Sequence, residues 1–177
     1  VIHCWCLLLH LGIKPPAIEK KMRTLRAVAM RLELKQGINH CSVINDSYSA
    51  DINSLKIALD FLLQQRQHEK HTVILSDILQ SGKSENELYS EVADSLQQRK
   101  INRLIGIGDR ITQHQNTFQQ VPKLETFFYR TVEAFKNDFK HLHFKDETIL
   151  LKGARVFAFE QIDHLLEQKI HQTVLEV

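Results

Sequence analysis

His71-Thr-Val-Ile-Leu75, then Ser84-Glu-Asn-Glu87, then Arg103-Leu-Ile-Gly-Ile107: the reading of this stretch decides the fold. The two apolar runs are short and continuous, as in strands buried on both faces. Between them, Ser84 and Glu87 stand at capping-box spacing and open a helix predicted over 84–98, long enough to cross from one parallel strand to the next. Working outward, the same alternation recurs. A helix over 53–66 places Leu55, Ala58, Leu59 and Leu62 on one face, at spacings of three and four. Further strands are expected at Glu125-Thr-Phe-Phe-Tyr129 and Thr148-Ile-Leu-Leu151. A short helix is expected near 109–115, a polar connection from Gln113 to Gln120, a Thr131-capped helix to about Phe139, and a last helix from about Phe157 to Gln168. Towards the start, Arg31-Leu-Glu-Leu-Lys35 alternates, Gln36-Gly-Ile-Asn39 turns, and Cys41-Ser-Val-Ile-Asn45 returns, which is a hairpin signal. Residues 2–12 and 16–26 read as two short helices divided by Pro15-Pro16. The expected fold is α/β: a Rossmann-like, mostly parallel sheet with helices on both faces and one antiparallel hairpin strand at the start.

Composition narrows the classes. A chain of 177 residues, 43% hydrophobic and 25% charged, is an ordinary globular domain, which excludes collagen, coiled coil and disorder. The net charge of +2 comes without a block of basic residues, so no nucleic-acid partner is expected. The longest apolar stretch, Cys4 to Leu11, is too short to span a bilayer and lacks the flanks of a secretory signal, so no membrane partner is expected either. Three cysteines, Cys4, Cys6 and Cys41, form neither a disulfide framework nor a zinc site. They fit a reducing, cytoplasmic compartment.

In such sheets ligands gather beyond the carboxyl ends of the strands. Those ends are Asn45-Asp46, Ser76-Asp77, Gly106-Ile-Gly108, Arg130 and Lys152-Gly153. Asp77-Ile-Leu-Gln-Ser-Gly-Lys-Ser84 imitates a phosphate loop, but Asp77 stands where the first glycine is needed, so it reads as a strand-to-helix turn. Gly106-x-Gly108 lacks the third glycine of a dinucleotide site, Ile111 taking its place. His141 and His143 have no further metal ligands to join and read as surface residues. The polar run Asn45-Asp-Ser-Tyr-Ser-Ala-Asp-Ile-Asn53 reads either as a helix-capping loop or as a ligand loop, with Asp46 accepting from sugar hydroxyls. Lys152-Gly-Ala-Arg155 places two cations at the expected start of a helix, where the dipole disfavours them and an anionic ligand would explain them.

Five motifs, in order over residues 30–160, resemble the C-terminal domain of the Mur ligases, the ATP-dependent enzymes that build the peptidoglycan peptide. Met30-Arg-Leu-Glu33 resembles G-R-x-E, with Met30 in place of Gly. Asn45 to Ser54 resembles the D-S-Y-N-A-N-P-x-S loop, and Leu75-Ser-Asp-Ile-Leu-Gln-Ser-Gly82 resembles L-G-D-M-x-E-L-G. Leu104-Ile-Gly-Ile-Gly108 resembles the V-G-x-G strand end. Leu151-Lys-Gly-Ala-Arg155 resembles the K-G-S-R loop, with Glu160 as the Glu that follows it. The likeness is greatest to the branch that adds D-alanyl-D-alanine to UDP-N-acetylmuramoyl-tripeptide.

The resemblance implies a mechanism in which ATP phosphorylates the tripeptide carboxylate and the dipeptide amine attacks the acyl phosphate, the C-terminal domain closing over the other ligase domains in cis. It implies nucleotide binding by Arg31 and Asp46, Arg on phosphate and Asp on ribose, with the loop residues Tyr48 and Ser49 beside them. Asp51, Lys152 and Arg155 then line the dipeptide side. Ser49 and Asp51 depart from the family's two Asn residues, and Ile52 from its Pro. No catalytic group, no phosphate loop and no magnesium or other metal site is expected in these residues, so ATP and Mg belong to the full-length enzyme and the fragment alone is expected to be inactive. Val1 begins amid apolar residues, as in a piece of a longer chain. Residues 1–25 resemble the last helices of the central ATPase domain, residues 26–170 form the ligase C-terminal domain, and 171–177 resemble the start of a linker or an alanine racemase domain, which would bring PLP. The competing reading is a non-catalytic Rossmann-like binding or interaction module.

Overall fold

Six strands carry the apolar runs into one sheet. In chain order they are β1 (Glu33–Gln36), β2 (Ser42–Asp46), β3 (Lys70–Ser76), β4 (Arg103–Ile107), β5 (Glu125–Tyr129) and β6 (Glu147–Lys152). The structure, a computed structural model, describes residues 2–24, 30–79 and 81–167. The helices are α1 (Ile2–His10), α2 (Pro15–Met22), α3 (Ile52–Gln64), α4 (Glu85–Gln98), α5 (Asp109–Gln113), α6 (Gln115–Gln119), α7 (Val132–Asp138) and α8 (Glu160–Leu166). The sheet order is β1-β2-β6-β3-β4-β5, with β1 antiparallel to β2 and every other pair parallel.

Chain direction explains the two faces. From β2 the chain steps through α3 to β3, through α4 to β4, and through α5 and α6 to β5. It then runs back through α7 and inserts β6 between β2 and β3. Right-handed crossovers step one way from one face, so the reversal must cross on the other. The packing agrees. Leu55, Leu59 and Leu62 of α3, Leu88, Val92 and Leu96 of α4, and Phe118 of α6 pack over one face. Phe135 of α7 and Ile162 and Leu166 of α8 cover the other. Each such side chain contributes about 1.5–3 kcal/mol of burial.

Most expected elements lie where the sequence reading puts them, and the Ser84–Glu87 capping box and Thr131 cap are both formed. Four details differ. The connection over 113–120 contains α6, because Phe118 is wholly buried and needs a helix to present it inward. The last helix starts later: residues 155–157 make a 3-10 turn, Ala158 takes a positive φ of 49°, and α8 opens only at Glu160. Strand β1 starts at Glu33, because Met30 and Leu32 take positive φ and leave Arg31 in a loop. Pro15 and Pro16 open α2 at its first two positions, where a missing N–H costs nothing. Residues 25–29 and 168–177 lie outside the described residues, and with them the expected boundary at 25–26 and the racemase-like tail.

A polar row closes the sheet at the end opposite the ligand loops. His71 and Thr148 are register partners on β3 and β6. Burial pushes the His71 imidazole below its ordinary pKa, since its charged form would be poorly solvated. The unfolded chain therefore binds the proton more readily than the folded one. This contribution to stability is complete above the unfolded value near 6.5 and is lost as pH falls below it. His71→Asn should flatten the fall in urea midpoint between about pH 7 and pH 5 relative to the parent sequence. Equal slopes in the two proteins would show that His71 titrates freely in the fold.

Candidate functional site: a cleft between β2 and β6

The strand order fixes where a cleft can open. The chain leaves β2 towards α3 on one face and leaves β6 towards α8 on the other, so the two loops diverge from neighbouring strands. Such a divergence is where ligands bind in open α/β sheets. Asp46 and Lys152, the last residues of these strands, are register partners. They project to the α3 side, where Lys152 Nζ lies 2.7 Å from Asp46 Oδ2. The Lys152 side chain is 1% exposed and that of Asp46 13%. The cleft above them is about 220 Å³ and is lined by Arg31, Leu32, Asp46, Ser49, Ser54, Ile57 and Lys152.

Arg31 reaches the cleft from the loop before β1, its guanidinium carbon 4.5 Å from the centre of the Tyr48 ring. That stacking leaves its donors turned to solvent, and among the described residues no carboxylate pairs with it. Ser49 lines a second cleft of about 280 Å³, with Tyr48, Ala50, Asp51, Leu79 and Ala154. The structure thus brings Arg31, Asp46, Tyr48, Ser49, Asp51 and Lys152 to one end of the sheet.

Three roles read from the sequence change in detail. Asp46 and Lys152, expected on different ligands, are one ion pair within one cleft, because parallel register sets them side by side. Asp51 is the N-cap of α3, accepting from the backbone N–H groups of Asn53 and Ser54 and from the Ser54 hydroxyl. The Ser54 hydroxyl, with these N–H groups, holds its carboxyl below the usual range. Its extra charge beside a ligand loop is thereby compensated. The two cations of the last loop do not face an α-helix start: Lys152 ends β6, Arg155 opens the exposed 3-10 turn, and the first turn of α8 carries Glu160 and Asp163.

Strand-end residues to which the sequence reading gave no ligand role hold the loops in place. Ser76 Oγ accepts from Ala154 N at 2.9 Å and donates to the Asp77 carbonyl. Gly153 lies against Phe159, whose ring an added Cβ would meet at 2.6 Å. Asp77, the residue that spoils the phosphate-loop pattern, accepts from the N–H groups of Arg110 and Ile111 at 3.2 and 2.8 Å, capping α5. Gly108, at φ 138°, leaves room for it; a Cβ there would come within 2.3 Å of the carboxylate carbon. The signal in the sequence was Asp77 paired with Gly108, both readable only once β3 and β4 are neighbours. Among the described residues no cluster of three His, Cys, Asp or Glu side chains could hold a metal ion, and no helix is long and apolar enough to cross a membrane.

This is an α/β domain whose cleft presents the Arg31 guanidinium, a carboxylate held by a buried lysine, and serine hydroxyls at the carboxyl ends of its strands. The family model described as Mur ligase, glutamate ligase domain, matches residues 30–155, and the chain belongs to that family. The UDP-N-acetylmuramoyl-tripeptide–D-alanyl-D-alanine ligase of Bacillus subtilis (strain 168) is 26% identical over 154 residues, 86% of this chain and 34% of that protein. Among solved structures, a crystal structure of MurF from Acinetobacter baumannii aligns with a TM-score of 0.74 at 21% identity, over 90% of this chain and 35% of that one. The MurF ligase of Thermotoga maritima, solved in complex with ADP, aligns at 0.65 and 15% identity, again over 90% and 35%. The structural likenesses speak for the fold. The chain spans about a third of the length of each of these relatives.

Proposed function

We propose that the chain is the closing domain of a cytoplasmic, ATP-dependent peptide ligase that adds D-alanyl-D-alanine to UDP-N-acetylmuramoyl-tripeptide in peptidoglycan synthesis. One observation carries the reading: the family match runs through the loops that bring Arg31, Asp46 and Lys152 into the β2–β6 cleft. Arg31 faces the nucleotide phosphates, where a planar guanidinium matches the oxygen geometry. Asp46, aimed by Lys152, accepts from ribose hydroxyls, with Tyr48 and Ser49 completing that wall. Arg155, and the loop carrying Asp51, face the incoming dipeptide. Lys152 orients Asp46 and does not itself hold the dipeptide carboxylate. Closing this wall onto the other ligase domains would exclude water from an acyl phosphate that water would hydrolyse. Mg is assigned to the full-length enzyme, where one or two carboxylates and the nucleotide phosphates would hold it.

A cleft of about 220 Å³ is smaller than the sites that engulf a drug-sized ligand. ATP titrated into this chain should therefore give no low-micromolar binding, whereas the full-length parent should bind it. Arg31→Ala in the parent should slow substrate-dependent ADP release on the order of a hundredfold or more, as for loss of a group facing developing charge, with little change in melting temperature. Low-micromolar ATP binding by this chain alone would instead favour a self-sufficient nucleotide-binding module.

A further inference from the structure

Asn45 precedes Asp46 on β2 and faces the opposite side of the sheet, towards α8. It is 2% exposed. Its Oδ1 accepts from Ser47 N at 3.2 Å and from Ser47 Oγ at 2.6 Å, which bends the chain immediately after Asp46. Its Nδ2 donates to Asp163 Oδ2 on α8 at 2.9 Å. The same carboxylate oxygen accepts from Lys35 Nζ of β1, and Lys35 also donates to Glu167 at 2.9 Å.

The chemistry of this chain of bonds is directional. A carboxylate only accepts and a backbone N–H only donates, so a single orientation of the Asn45 amide satisfies Asp163 and Ser47 together. Lys35 sets a cation against Asp163 on the side away from the sheet's carboxyl-end loops. We propose that Asp163 is a positioning residue for Asp46, acting through Asn45 and the turn at Ser47, and so sets the nucleotide-facing side of the cleft from the far face of the sheet. This rests on the reading of the cleft given above. Asp46 is thereby fixed from two sides: its carboxylate by Lys152, and its following peptide by Asn45. No motif of the sequence marked Asp163, because it lies 118 residues beyond Asn45.

Exchanging the partners tests the proposal. Asn45→Asp alone sets two carboxylates against each other. Adding Asp163→Asn restores the arrangement with donor and acceptor reversed. The new carboxylate on β2 still accepts from Ser47 and now accepts from the new amide on α8, while Lys35, which shares the Asp163 oxygen used by Asn45, keeps Glu167 as its acceptor. In this chain, amide exchange at Ser47 should speed up in the single variant and return towards its original rate in the double. In the full-length parent, the single variant should raise the KM for ATP on the order of tenfold, with kcat changing much less, and the double should recover most of the loss. Unchanged Ser47 exchange in the single variant, or a double no better than the single in KM, overturns the proposal. A parent protein without ATP turnover overturns the assignment of the cleft, and the Ser47 exchange rates then decide the Asn45–Asp163 network by themselves.

Discussion

Glu147→Ala should destabilise the chain by about 3–5 kcal/mol, among the largest losses any single substitution here can produce. Glu147 and Arg103 open β6 and β4, and their side chains are 0% and 3% exposed. Arg103 Nη2 lies 2.7 Å from both carboxylate oxygens, its Nε donates to Thr72 Oγ1 at 3.1 Å, and its Nη1 donates to the Leu142 carbonyl at 2.7 Å. The guanidinium also lies over Phe144, 4.6 Å from the ring centre. Thr72 Oγ1 donates to Glu147 in turn. Removing the carboxylate leaves a buried cation whose remaining counter-charge is the exposed Glu125, 4.0 Å from Nε, which costs far more than breaking an exposed pair. Arg103→Met combined with Glu147→Leu should recover much of the loss, because the buried pair contributes little over an apolar one of similar volume. Urea unfolding of the three proteins measures this. A loss below about 1 kcal/mol for Glu147→Ala, the range of an exposed pair, would mean that water reaches Arg103 in the fold.

Asp46→Ala should be damaging twice over. It strands Lys152, whose side chain is 1% exposed. Stability should therefore fall by a similar amount, about 3–5 kcal/mol. In the parent protein it should also weaken ATP use beyond what the stability loss explains. Asp46→Asn separates the two effects. It keeps an oxygen acceptor beside Lys152 and should cost less stability, yet it alters the group presented to the ligand. Arg31 offers the contrast, because its only described support is the Tyr48 ring, a contact of about 0.5–1 kcal/mol at an exposed site. If Arg31→Ala and Asp46→Asn lower stability and turnover in parallel, both residues are structural and the cleft is not a nucleotide wall.

Particular residues show what the sequence makes legible. The centres of β3, β4 and β6 are runs of Val, Ile and Leu that suit a doubly covered sheet, and hydrophobicity alone places them to within a residue at each end. The cap at Ser84 is local and legible for the same reason: four residues contain both partners. Insertion of β6 between β2 and β3 is not legible that way, since it depends on which face α7 crosses. Everything that depends on this insertion was hidden too. Asp46 and Lys152 could be marked as strand ends but not as an ion pair, because 106 residues separate them and the register sets the contact. Asp51 was legible as a loop residue, and its capping of α3 was open in the sequence between two readings. Asp163 gave no signal at all. The family resemblance added the one thing that periodicity cannot: a reason for Arg31 and Asp46 to converge on a ligand.

The measurement closest to the central claim is ADP release by the full-length parent protein, supplied with ATP, UDP-N-acetylmuramoyl-tripeptide and D-alanyl-D-alanine, with each acceptor omitted in turn. A D-alanyl-D-alanine-adding ligase should show turnover that requires the tripeptide and the dipeptide together and that collapses in Arg31→Ala. Turnover indifferent to D-alanyl-D-alanine, or intact in Arg31→Ala, would contradict that assignment.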